Sequence, residues 1–352
     1  GALVVVSHDR FFLDQVAESI VEIERNKTKK YTGNYTRFVD AKAKEAEAEW
    51  KRYEQQQQEI SRMEEFVQRN IARASTTNRA KSRRKALERM ERMDRPQGSL
   101  KRASFSFETE RATGKDVLDV SDLSFRYEQD GGAPILDQLS LQLKKGEAVA
   151  LIGANGAGKS TLFRLLTGEL QPLTGTLHWG ANVQTAYYDQ EQRDLTPTNT
   201  VLEEVWGHFP DLEEVKIRTV LGQFLFSGED VLKKISSLSG GEKARVSLAK
   251  LMLQKANVLL MDEPTNHLDV YSKEVLEQAL TNYEGTLLFI SHDRYFLNKM
   301  SDRILELSKG RLKYFLGNFD DYVEKKRDLL EWRQLNDHTD PSYRDTQKQQ
   351  ET

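Results

Sequence analysis

The segment GANGAGKST, from Gly153 to Thr161, has the residue types and spacing of a loop that binds phosphate. Its glycines allow the backbone to wrap around an anion, so that successive N–H groups and the start of a following helix face the negative charge. Lys159 is placed to reach the β- and γ-phosphates of a nucleotide, and the hydroxyl of Ser160 is placed to ligate Mg²⁺. The segment therefore predicts a site for a nucleoside triphosphate.

A second segment, VLLMDEP from Val258 to Pro264, supplies the carboxylates that hydrolysis at such a site requires. Its apolar residues predict a buried strand, and two acidic residues follow where the strand ends. Asp262 is placed to hold Mg²⁺, and Glu263 is then free to orient or deprotonate the attacking water. An acidic pair at a strand end is often merely solvated, but in combination with the phosphate loop it predicts phosphoryl transfer to water.

The flanking patterns predict the elements that must position these side chains. LSLQL at 139–143 alternates apolar and polar residues as a half-buried strand does, whereas AVALIG at 148–153 is the continuous apolar run of a strand covered on both faces. The second strand leads directly into the phosphate loop, and a helix is expected to follow. We predict an α/β fold with the site at the carboxyl edge of a sheet.

Residues 41–95 differ in composition, because they are nearly free of Gly and Pro and rich in Glu, Gln, Lys, Arg and Ala. Apolar residues from Trp50 to Ile71 are spaced mostly by three or four positions, and the polar cluster STTN at 75–78 interrupts this period. The period then resumes until Pro96. The pattern predicts an antiparallel helical hairpin.

The turn of this hairpin is strongly basic. Residues 69–92 contain nine Lys or Arg and two Glu, which gives a local balance of +7. A solvated charged face is the simpler interpretation, but few acidic partners are available at i to i+4. We therefore favour a tip that binds a polyanion.

One phrase occurs twice in the chain, as VVVSHDRFFLD at 4–14 and as LFISHDRYFLN at 288–298. The same offset also aligns Gly33 with Gly317 without a gap. An internal repeat of this kind indicates two domains of one type. Organised sequence from near Asp116 precedes the second copy, and almost nothing precedes the first. We expect a fragment with the end of one domain, a connector and one whole domain.

The composition excludes several classes of protein. The chain has 352 residues, a net charge of −3 and no cysteine, so disulfides and thiolate metal sites are excluded. No apolar run approaches the ~18 residues of a membrane helix. We expect a protein of the cytoplasm.

The segment LSGGE, from Leu238 to Glu242, lies twenty residues before Asp262 and resembles the signature of ATP-binding cassette (ABC) ATPases. The phosphate loop, Gln190, the HLD segment at 267–269 and the histidine of the second SHDR phrase match the motifs of that superfamily in order and spacing. The resemblance covers nearly the whole of the second domain, and the segment 1–40 resembles the end of the same domain. It implies a P-loop ABC-type ATPase fold with ATP and Mg²⁺ at the site.

The resemblance also implies a role for individual residues. The residues implied to bind ATP are Tyr127, which would stack on adenine, and Gly153, Asn155, Gly156, Gly158, Lys159, Ser160 and Thr161. Mg²⁺ would be held by Ser160, Gln190 and Asp262. The catalytic residues would be Glu263, Gln190 and His292, with His292 at the γ-phosphate. Those that would contact ATP held by a facing cassette are Ser239, Gly240, Gly241 and Glu242 of the signature. Asp269 would belong to the D-loop.

In the superfamily two cassettes face each other head to tail, and each ATP lies between the phosphate loop of one and the signature of the other. His8 is accordingly interpreted as the histidine of a first cassette. That cassette would be the intramolecular partner of the second, and two second cassettes could pair instead. We expect weak hydrolysis by this chain alone, because closure requires two cassettes.

Tandem cassettes joined by a helical hairpin, without a membrane domain, resemble the F subclass (ABC-F), whose members act on ribosomes. The domains implied are the end of a first cassette at 1–40, the arm at 41–113, the second cassette at 114–325, and a short helix with a polar tail at 326–352. The arm would contact ribosomal RNA and tRNA. The residues proposed for that contact are Arg69, Arg73, Arg79, Lys81, Arg83, Arg84 and Lys85.

Two alternatives remain open at this point. The ATP-binding subunit of a membrane transporter has the same nucleotide motifs but does not need a basic arm. A DNA-maintenance ATPase of the F subclass would carry an additional C-terminal coiled coil. For a ribosome-binding factor, a role in ordinary translation and protection against an antibiotic both remain open.

Overall fold

The computed structural model describes residues 3–7, 9–24, 27–70, 77–93, 107–127, 134–189, 195–266 and 268–337. The chain divides into two compact units, Gly1–Ser104 and Phe105–Thr352. Among the described residues, no helix has the length and apolar character that a membrane span requires.

The first unit consists of a short helix, a β-hairpin and a pair of longer helices. Its elements are α1 (Arg10–Val16), β1 (Ser19–Glu24), β2 (Lys27–Thr32), α2 (Tyr35–Asn70) and α3 (Thr77–Arg89). Strands β1 and β2 pair in an antiparallel two-stranded sheet.

Helices α2 and α3 form the predicted helical hairpin. Ile60 of α2 and Ala80 of α3 are buried. The side chain of Gln56 donates to the Glu91 carbonyl at 3.0 Å and accepts from the Met93 amide at 2.8 Å. These contacts join the middle of α2 to the end of the returning segment, so the hairpin prediction is confirmed.

The start of α2 differs from the predicted start at residue 41. The helix begins at Tyr35 and continues without interruption through residues 40 and 41. Asn34 precedes it, and its side chain accepts a hydrogen bond from the Arg37 amide at 3.3 Å. This Asn supplies the helix-start signal, whereas the apolar spacing used in the sequence analysis becomes regular only later in the helix.

The second unit contains the remaining strands and helices. Its strands are β3 (Asp116–Phe125), β4 (Leu136–Lys144), β5 (Ala148–Ile152), β6 (Thr174–Trp179), β7 (Thr185–Tyr188), β8 (Val258–Asp262), β9 (Thr286–Ile290), β10 (Arg303–Ser308) and β11 (Arg311–Leu316). Its helices are α4 (Lys159–Leu166), α5 (Val201–His208), α6 (Glu214–Gln223), α7 (Gly240–Leu253), α8 (Val270–Thr281), α9 (Arg294–Met300) and α10 (Phe319–Asp337).

Two sheets enclose the core of this unit. Strands β4, β3 and β6 form an antiparallel sheet, and a six-stranded sheet has the order β11-β10-β5-β9-β8-β7. Leu139, Leu141 and Leu143 alternate with exposed residues along β4, which confirms the predicted half-buried strand. They belong to one apolar cluster together with Phe163 of α4 and Leu288 of β9.

The order of the large sheet determines where the functional residues meet. Strands β5, β9 and β8 are parallel neighbours, with Leu151 opposite Ile290 and Ile290 opposite Asp262. Their carboxyl ends therefore lie at one level, and the segments that follow them emerge at the same edge. The predicted α/β fold is confirmed, and the segments that hold the predicted site residues start at this edge.

The division into compact units and the predicted domain boundaries do not coincide. The units divide between Ser104 and Phe105, nine residues before the predicted boundary at 113/114. Helix α10 passes through the predicted boundary at 325/326. The predicted polar tail lies outside the described residues from 338 onward.

Candidate active site

The phosphate loop joins β5 to α4, and its lysine is directed back over the loop. Lys159 Nζ donates to the carbonyl oxygens of Gly153 at 2.9 Å and Ala154 at 3.2 Å, and the side chain is buried. Gly158 has a φ of +100°, and a Cβ there would lie 2.7 Å from Cγ2 of Ile135. Glycine is required at this position for both reasons.

The middle of the loop is accessible. Ala154, Asn155 and Gly156 are exposed. Gly156 has a φ of +77°, and a Cβ there would meet no other atom within 4 Å. A loop with a left-handed glycine, an open face and a buried ammonium group beneath it fits the binding of an anion such as a nucleotide phosphate.

Tyr127 lies beside the first turn of α4. Its hydroxyl is 3.2 Å from Oγ1 of Thr161, and its ring packs edge-on against Phe125 with the ring centroids 5.0 Å apart. The structure thus brings Tyr127 to the phosphate loop. Stacking of its ring on a base stays a prediction.

Asp262 and Ser160 form an oxygen pair at the end of β8. Asp262 is buried and accepts a hydrogen bond from Ser160. Burial raises the pKa of Asp262, a tendency that the Ser160 hydrogen bond and the charge of Lys159 oppose. Carboxylate and hydroxyl oxygens are ligands that Mg²⁺ prefers, so the pair fits a Mg²⁺ site.

Glu263 is held in an uncommon conformation at the strand end. Its φ is +50°, which is rare for a residue with a Cβ and is often found at functional sites. Its amide donates to the Ile290 carbonyl at 3.0 Å, and its Oε2 accepts from the backbone amide of His292 at 3.2 Å. Burial raises the pKa of Glu263 to about 7, with a further contribution from the charge of Asp262.

The other carboxylate oxygen of Glu263 differs from the first. Oε1 is buried and accepts no hydrogen bond within the described part of the chain. Nε2 of His292 is 3.4 Å from it, without hydrogen-bond geometry. Buried acceptors are nearly always satisfied in folded proteins, so Oε1 is available to a ligand such as water.

His292 lies at the mouth of the site with its side chain 59% exposed. Partial burial and the positive charge of Lys159 both lower its pKa. The imidazole is therefore neutral near pH 7, and one ring nitrogen donates while the other accepts.

The signature residues begin helix α7. The hydroxyl of Ser239 accepts from the Glu242 amide at 3.3 Å, and the Glu242 carboxylate accepts from the Ser239 amide at 2.8 Å. This capping box explains why the helix starts here. Ser239 and Gly240 are exposed, while Gly241 is half-buried.

Asp269 connects two helices. It caps α8 by accepting from the Ser272 amide at 2.8 Å, and its other oxygen accepts from Arg245 of α7 at 3.1 Å. Arg245 is a residue that the sequence analysis missed. It lies six residues after the signature serine, but no local pattern indicates a partner 24 positions away.

The basic residues of the hairpin are mostly exposed, and several of them have partners. Arg84 pairs with Glu88 at 3.3 Å, and Arg69 pairs with Glu65 at 3.5 Å, both at four-residue spacing. The expectation that acidic partners are scarce is therefore wrong for these two arginines. Such exposed pairs contribute little stability, about 0.3–0.5 kcal/mol each, so both cations stay accessible to an anion. Arg83 stacks on the ring of Phe66, 3.8 Å from its centroid.

Three more of the proposed RNA contacts are exposed, and three predicted residues lie outside the described part of the chain. Arg79, Lys81 and Lys85 are exposed on α3. Gln190, His8 and Arg73 lie outside the described residues.

Two family models match the chain. A model described as ABC transporter matches residues 136–266, and a second model with that description matches residues 21–107. The first includes the phosphate loop, the signature and the acidic pair, and the second includes the helical hairpin.

The chain is also similar to curated proteins from bacteria and plants. It is 54% identical over 336 residues to the putative ATP-binding protein YdiF of Bacillus subtilis, covering 96% of this chain and 52% of YdiF. It is 37% identical over 331 residues to the probable ATP-binding protein YbiT of Escherichia coli O157:H7, covering 93% and 61%. It is 35% identical over 330 residues to ABC transporter F family member 5 of Arabidopsis thaliana, covering 93% and 47%. The chain thus spans about half the length of the curated relatives it matches.

Among solved structures, the fold of this chain resembles that of an ATP-binding cassette. The dimeric post-hydrolysis state of the cassette MJ0796, bound to ADP and Pi, matches with a TM-score of 0.51 and 21% identity. The match covers 56% of this chain and 98% of that one. The likeness shows a P-loop ABC ATPase fold.

Proposed function

We propose that the chain is an ABC-F protein with an ATP-binding domain of the ABC transporter family, which binds Mg-ATP and hydrolyses it to ADP and phosphate. One observation carries the proposal for hydrolysis. Glu263 is buried with one oxygen fixed by His292 and the other without a partner in the described residues, beside the Ser160–Asp262 pair. Such an arrangement suits a base that accepts a proton from water.

Among the described residues that would bind the nucleotide, Tyr127 follows β3, the phosphate loop follows β5 and Asp262 ends β8. Lys159 and the loop amides from Gly153 to Thr161 would hold the phosphates, and Tyr127 would contact the base. Ser160 and Asp262, with Gln190, would hold Mg²⁺, which neutralises charge on the phosphates when bound.

Hydrolysis would use Glu263 and His292. The water oxygen forms a bond to the γ-phosphorus while the bond to the bridging oxygen breaks, and the water proton passes to Oε1 of Glu263. The backbone amide of His292 keeps Oε2 occupied, so that Oε1 faces the water. A ring N–H of His292 could donate to a γ-phosphate oxygen.

Two substitutions separate binding from hydrolysis. Glu263→Gln preserves shape and the Oε2 contact, so ATP affinity should be retained while turnover falls at least 100-fold, as for loss of a general base (about 10²–10⁴). Lys159→Ala should abolish ATP binding. Glu284→Gln, at an exposed position, is the control and should match the wild-type chain. Turnover by Glu263→Gln within twofold of wild type would contradict the assignment of the base.

The exposed signature residues lead us to expect that the rate of ATP hydrolysis per chain depends on chain concentration. Ser239 and Gly240 begin α7 at the surface, and in the superfamily these residues cap ATP on a facing cassette. We therefore propose that turnover per chain is low in dilute solution and rises with chain concentration as signatures and phosphate loops pair. A rate per chain that is constant over a 100-fold range of concentration would contradict this.

For the hairpin we propose contact with ribosomal RNA and tRNA, supported by the exposed cations on α3. Arg79, Lys81, Arg83 and Arg84 would neutralise phosphates of A-form RNA. Each phosphate contact contributes about 0.7–0.9 to the slope of log affinity against log salt. Co-sedimentation with ribosomes, and with branched DNA in the same salt, distinguishes this target from the DNA of a maintenance ATPase.

The matched variants for that experiment reverse four charges each. Reversal to Glu at Arg79, Lys81, Arg83 and Arg84 should abolish co-sedimentation and leave ATP affinity unchanged. Reversal at exposed lysines of the second unit, Lys144, Lys145, Lys233 and Lys313, is the control for net charge. Equal losses in both quadruple variants would show that binding depends on net charge alone and would contradict the assignment to the hairpin.

Ribosome binding would serve either regulation of translation or protection against an antibiotic. Expression in a susceptible bacterium, with resistance to peptidyl-transferase inhibitors as the readout, separates these two roles. Lys159→Ala is the control, because resistance should require ATP binding.

A further inference from the structure

A buried ion pair connects α8 to the residue that follows His292. Nζ of Lys273 is 3.0 Å from Oδ2 of Asp293, and the two side chains are 9% and 10% exposed. None of the sequence motifs includes Lys273, and Asp293 belongs to the repeated SHDR phrase without an assigned role.

Asp293 is fixed by further contacts. Its Oδ1 accepts from the amides of Tyr295 and Phe296, both at 3.1 Å, and so caps α9. Its own amide donates to the hydroxyl of Ser291 at 3.1 Å. The position of Asp293 therefore determines both the start of α9 and the direction of the backbone at His292, the residue before it.

The same turn of α8 is tied to the signature helix. The amide of Lys273 donates to the carbonyl of Asp269 at 3.0 Å, and the side chain of Asp269 binds Arg245 of α7. One helical turn thus contacts α7 at Asp269 and α9 at Lys273.

We propose that Lys273 is a positioning residue for hydrolysis, which through Asp293 holds the backbone amide of His292 against the carboxylate of Glu263. This rests on the proposed ATPase function. Its geometric basis is the 3.2 Å bond from the His292 amide to Oε2 of Glu263, one residue from the ion-paired carboxylate. A displacement of about 1 Å at a reacting group is sufficient to slow a reaction about 100-fold. The contact of Asp269 with Arg245 would link this position to the signature helix.

A second ion pair between the same two helices provides the control. Lys299 of α9 binds Glu277 of α8 at 3.0 Å, and the Glu277 side chain is 1% exposed. This pair is at the other end of α9, away from His292. A general effect on α8–α9 packing should therefore follow from either pair, whereas an effect on His292 should follow from Lys273 alone.

The test compares Lys273→Met, Lys273→Arg and Lys299→Met in the full chain. We expect Lys273→Met to lower kcat about tenfold or more, with the ATP dissociation constant changed less than twofold. Lys273→Arg should retain at least half of the activity, because it keeps the charge. Lys299→Met should retain kcat within twofold although it lowers the unfolding midpoint.

Lys273→Met alone leaves the buried carboxylate of Asp293 without its ion-pair partner, which could destabilise the fold. The double variant Lys273→Met with Asp293→Asn removes that carboxylate as well. Asn still caps a helix, and both charges are absent, so stability should recover. We expect kcat to stay low, because the tie to α8 is lost. If kcat recovers together with stability, Lys273 acts only on stability and the positioning role is wrong. Equal losses of kcat in Lys273→Met and Lys299→Met would also overturn it.

A measurement without turnover distinguishes failure of this inference from failure of the ATPase proposal. Hydrogen exchange at the amides of His292, Tyr295 and Phe296 should become faster in Lys273→Met, and not in Lys299→Met. If the wild-type chain hydrolyses no ATP, the ATPase proposal is wrong, while faster exchange still supports the tie to His292. Unchanged exchange in Lys273→Met would refute that tie whatever the ATPase result.

Discussion

Residues 9–42 and 293–326 are two copies of one structural motif, here called the first and second copy. Helices α1 and α9, strands β1 and β10, and strands β2 and β11 begin and end at equivalent positions, all related by the offset of the sequence repeat. Helices α2 and α10 begin at the same offset. The sequence repeat is therefore also a repeat of structure, element by element.

Several local contacts are common to the two copies. Asp9 and Asp293 both cap the helix that follows. The amide of Thr36 binds Asp14 at 2.8 Å, and the equivalent amide in the second copy, that of Asp320, binds Asn298 at 2.8 Å. Caps and turns of this kind are sufficient to define the motif in two different units.

The surroundings of the two copies differ. In the second copy β10 also pairs with β5, and Leu305 and Leu307 are fully buried. In the described residues of the first unit β1 pairs with β2 alone, and the equivalent Val21 and Ile23 are 57% and 76% exposed. The comparison teaches that local contacts specify the shape of the motif, whereas the neighbouring strand provides its burial.

The two copies contain the same pair of aromatic rings, but the hydroxyl group is on a different ring in each. Tyr31 on β2 packs edge-on against Phe38 on α2, and its hydroxyl binds Glu45 at 3.0 Å. In the second copy the strand carries Phe315 and the helix carries Tyr322, whose hydroxyl binds Glu306 at 3.0 Å. One ring pair with one hydroxyl is kept in both.

The largest predicted difference between the copies concerns equivalent phenylalanines. Phe296 is fully buried and packs on Phe289, so Phe296→Ala should lower the free energy of unfolding by about 3–5 kcal/mol. Phe12 is 38% exposed, and Phe12→Ala should cost less, about 1–2 kcal/mol, because only part of its side chain is buried. Urea unfolding with hydrogen exchange on the peptides of each unit measures both values. Similar losses would break the claim that burial distinguishes the copies.

The equivalent glycines should show a smaller difference. Gly33 and Gly317 have φ values of +116° and +102°, so substitution by Ala should cost more than about 1 kcal/mol in each copy. A Cβ at Gly317 would lie 2.2 Å from Oδ2 of Asp321, which is held by the Asn318 amide. A Cβ at Gly33 would meet the movable side chain of Arg37 at 2.6 Å. We expect Gly317→Ala to lower the free energy of unfolding by about 1 kcal/mol more than Gly33→Ala does. A larger loss for Gly33→Ala, in the same unfolding assay, would contradict this.

The exchanged hydroxyl should have a modest effect. Tyr322 is 7% exposed, and Tyr322→Phe should cost about 1–1.5 kcal/mol, because Glu306 and Lys326 lose a buried partner. The double variant Phe315→Tyr with Tyr322→Phe moves the hydroxyl to the strand, where in the first copy Tyr31 also donates to Glu22, the equivalent of Glu306, at 3.4 Å. It should recover only part of this loss, because Leu329 occupies the position of Glu45. Thermal unfolding compares the two variants. A double variant less stable than the single one would show that the hydroxyl is not interchangeable between the rings.

The smallest predicted effect is the pH dependence of the stability that Glu306 contributes. Burial tends to raise the pKa of Glu306, but hydrogen bonds from Lys326 and Tyr322 outweigh it and hold the pKa below its usual range. The ionised form is thus favoured by folding, so Glu306 contributes stability above the unfolded pKa of 4.5 and loses it as pH falls through the folded value. The Glu306→Gln variant should be less stable than wild type at pH 6. This difference in the free energy of unfolding should become smaller as the pH falls to about 3.5. A constant deficit over that range would contradict the assigned sign.

Much of the active site could be predicted from sequence, because its signals are local. The apolar run of β5, the spacing of the phosphate loop and the acidic pair after β8 each occupy fewer than ten consecutive residues. Glu263 was assigned as the base from its place after a strand, in combination with the phosphate loop. Only the structure shows its positive φ, the contact of its amide with Ile290 of β9, and the lack of a hydrogen-bond partner for Oε1 among the described residues.

The contacts that sequence reasoning missed are those between distant positions. Lys273 and Asp293 are twenty residues apart on different helices, and Arg245 and Asp269 are 24 apart. Each residue looks like an ordinary surface charge in the sequence. The helix-cap signal of the second SHDR phrase was available for Asp293, whereas nothing local distinguishes Lys273 from other helical lysines.

The place of β5 in the large sheet has a consequence for synthesis of the protein. Strand β5 ends at Ile152, but its two neighbours, β9 and β10, are completed only at Ile290 and Ser308. At ribosomal rates of about 5–20 residues per second, roughly ten to thirty seconds pass before both edges of β5 can pair. During that interval an apolar strand with two open edges precedes the phosphate loop. Until Ser308 has been translated, this unpaired strand exposes the nascent chain to aggregation, and the proposed nucleotide site cannot be complete.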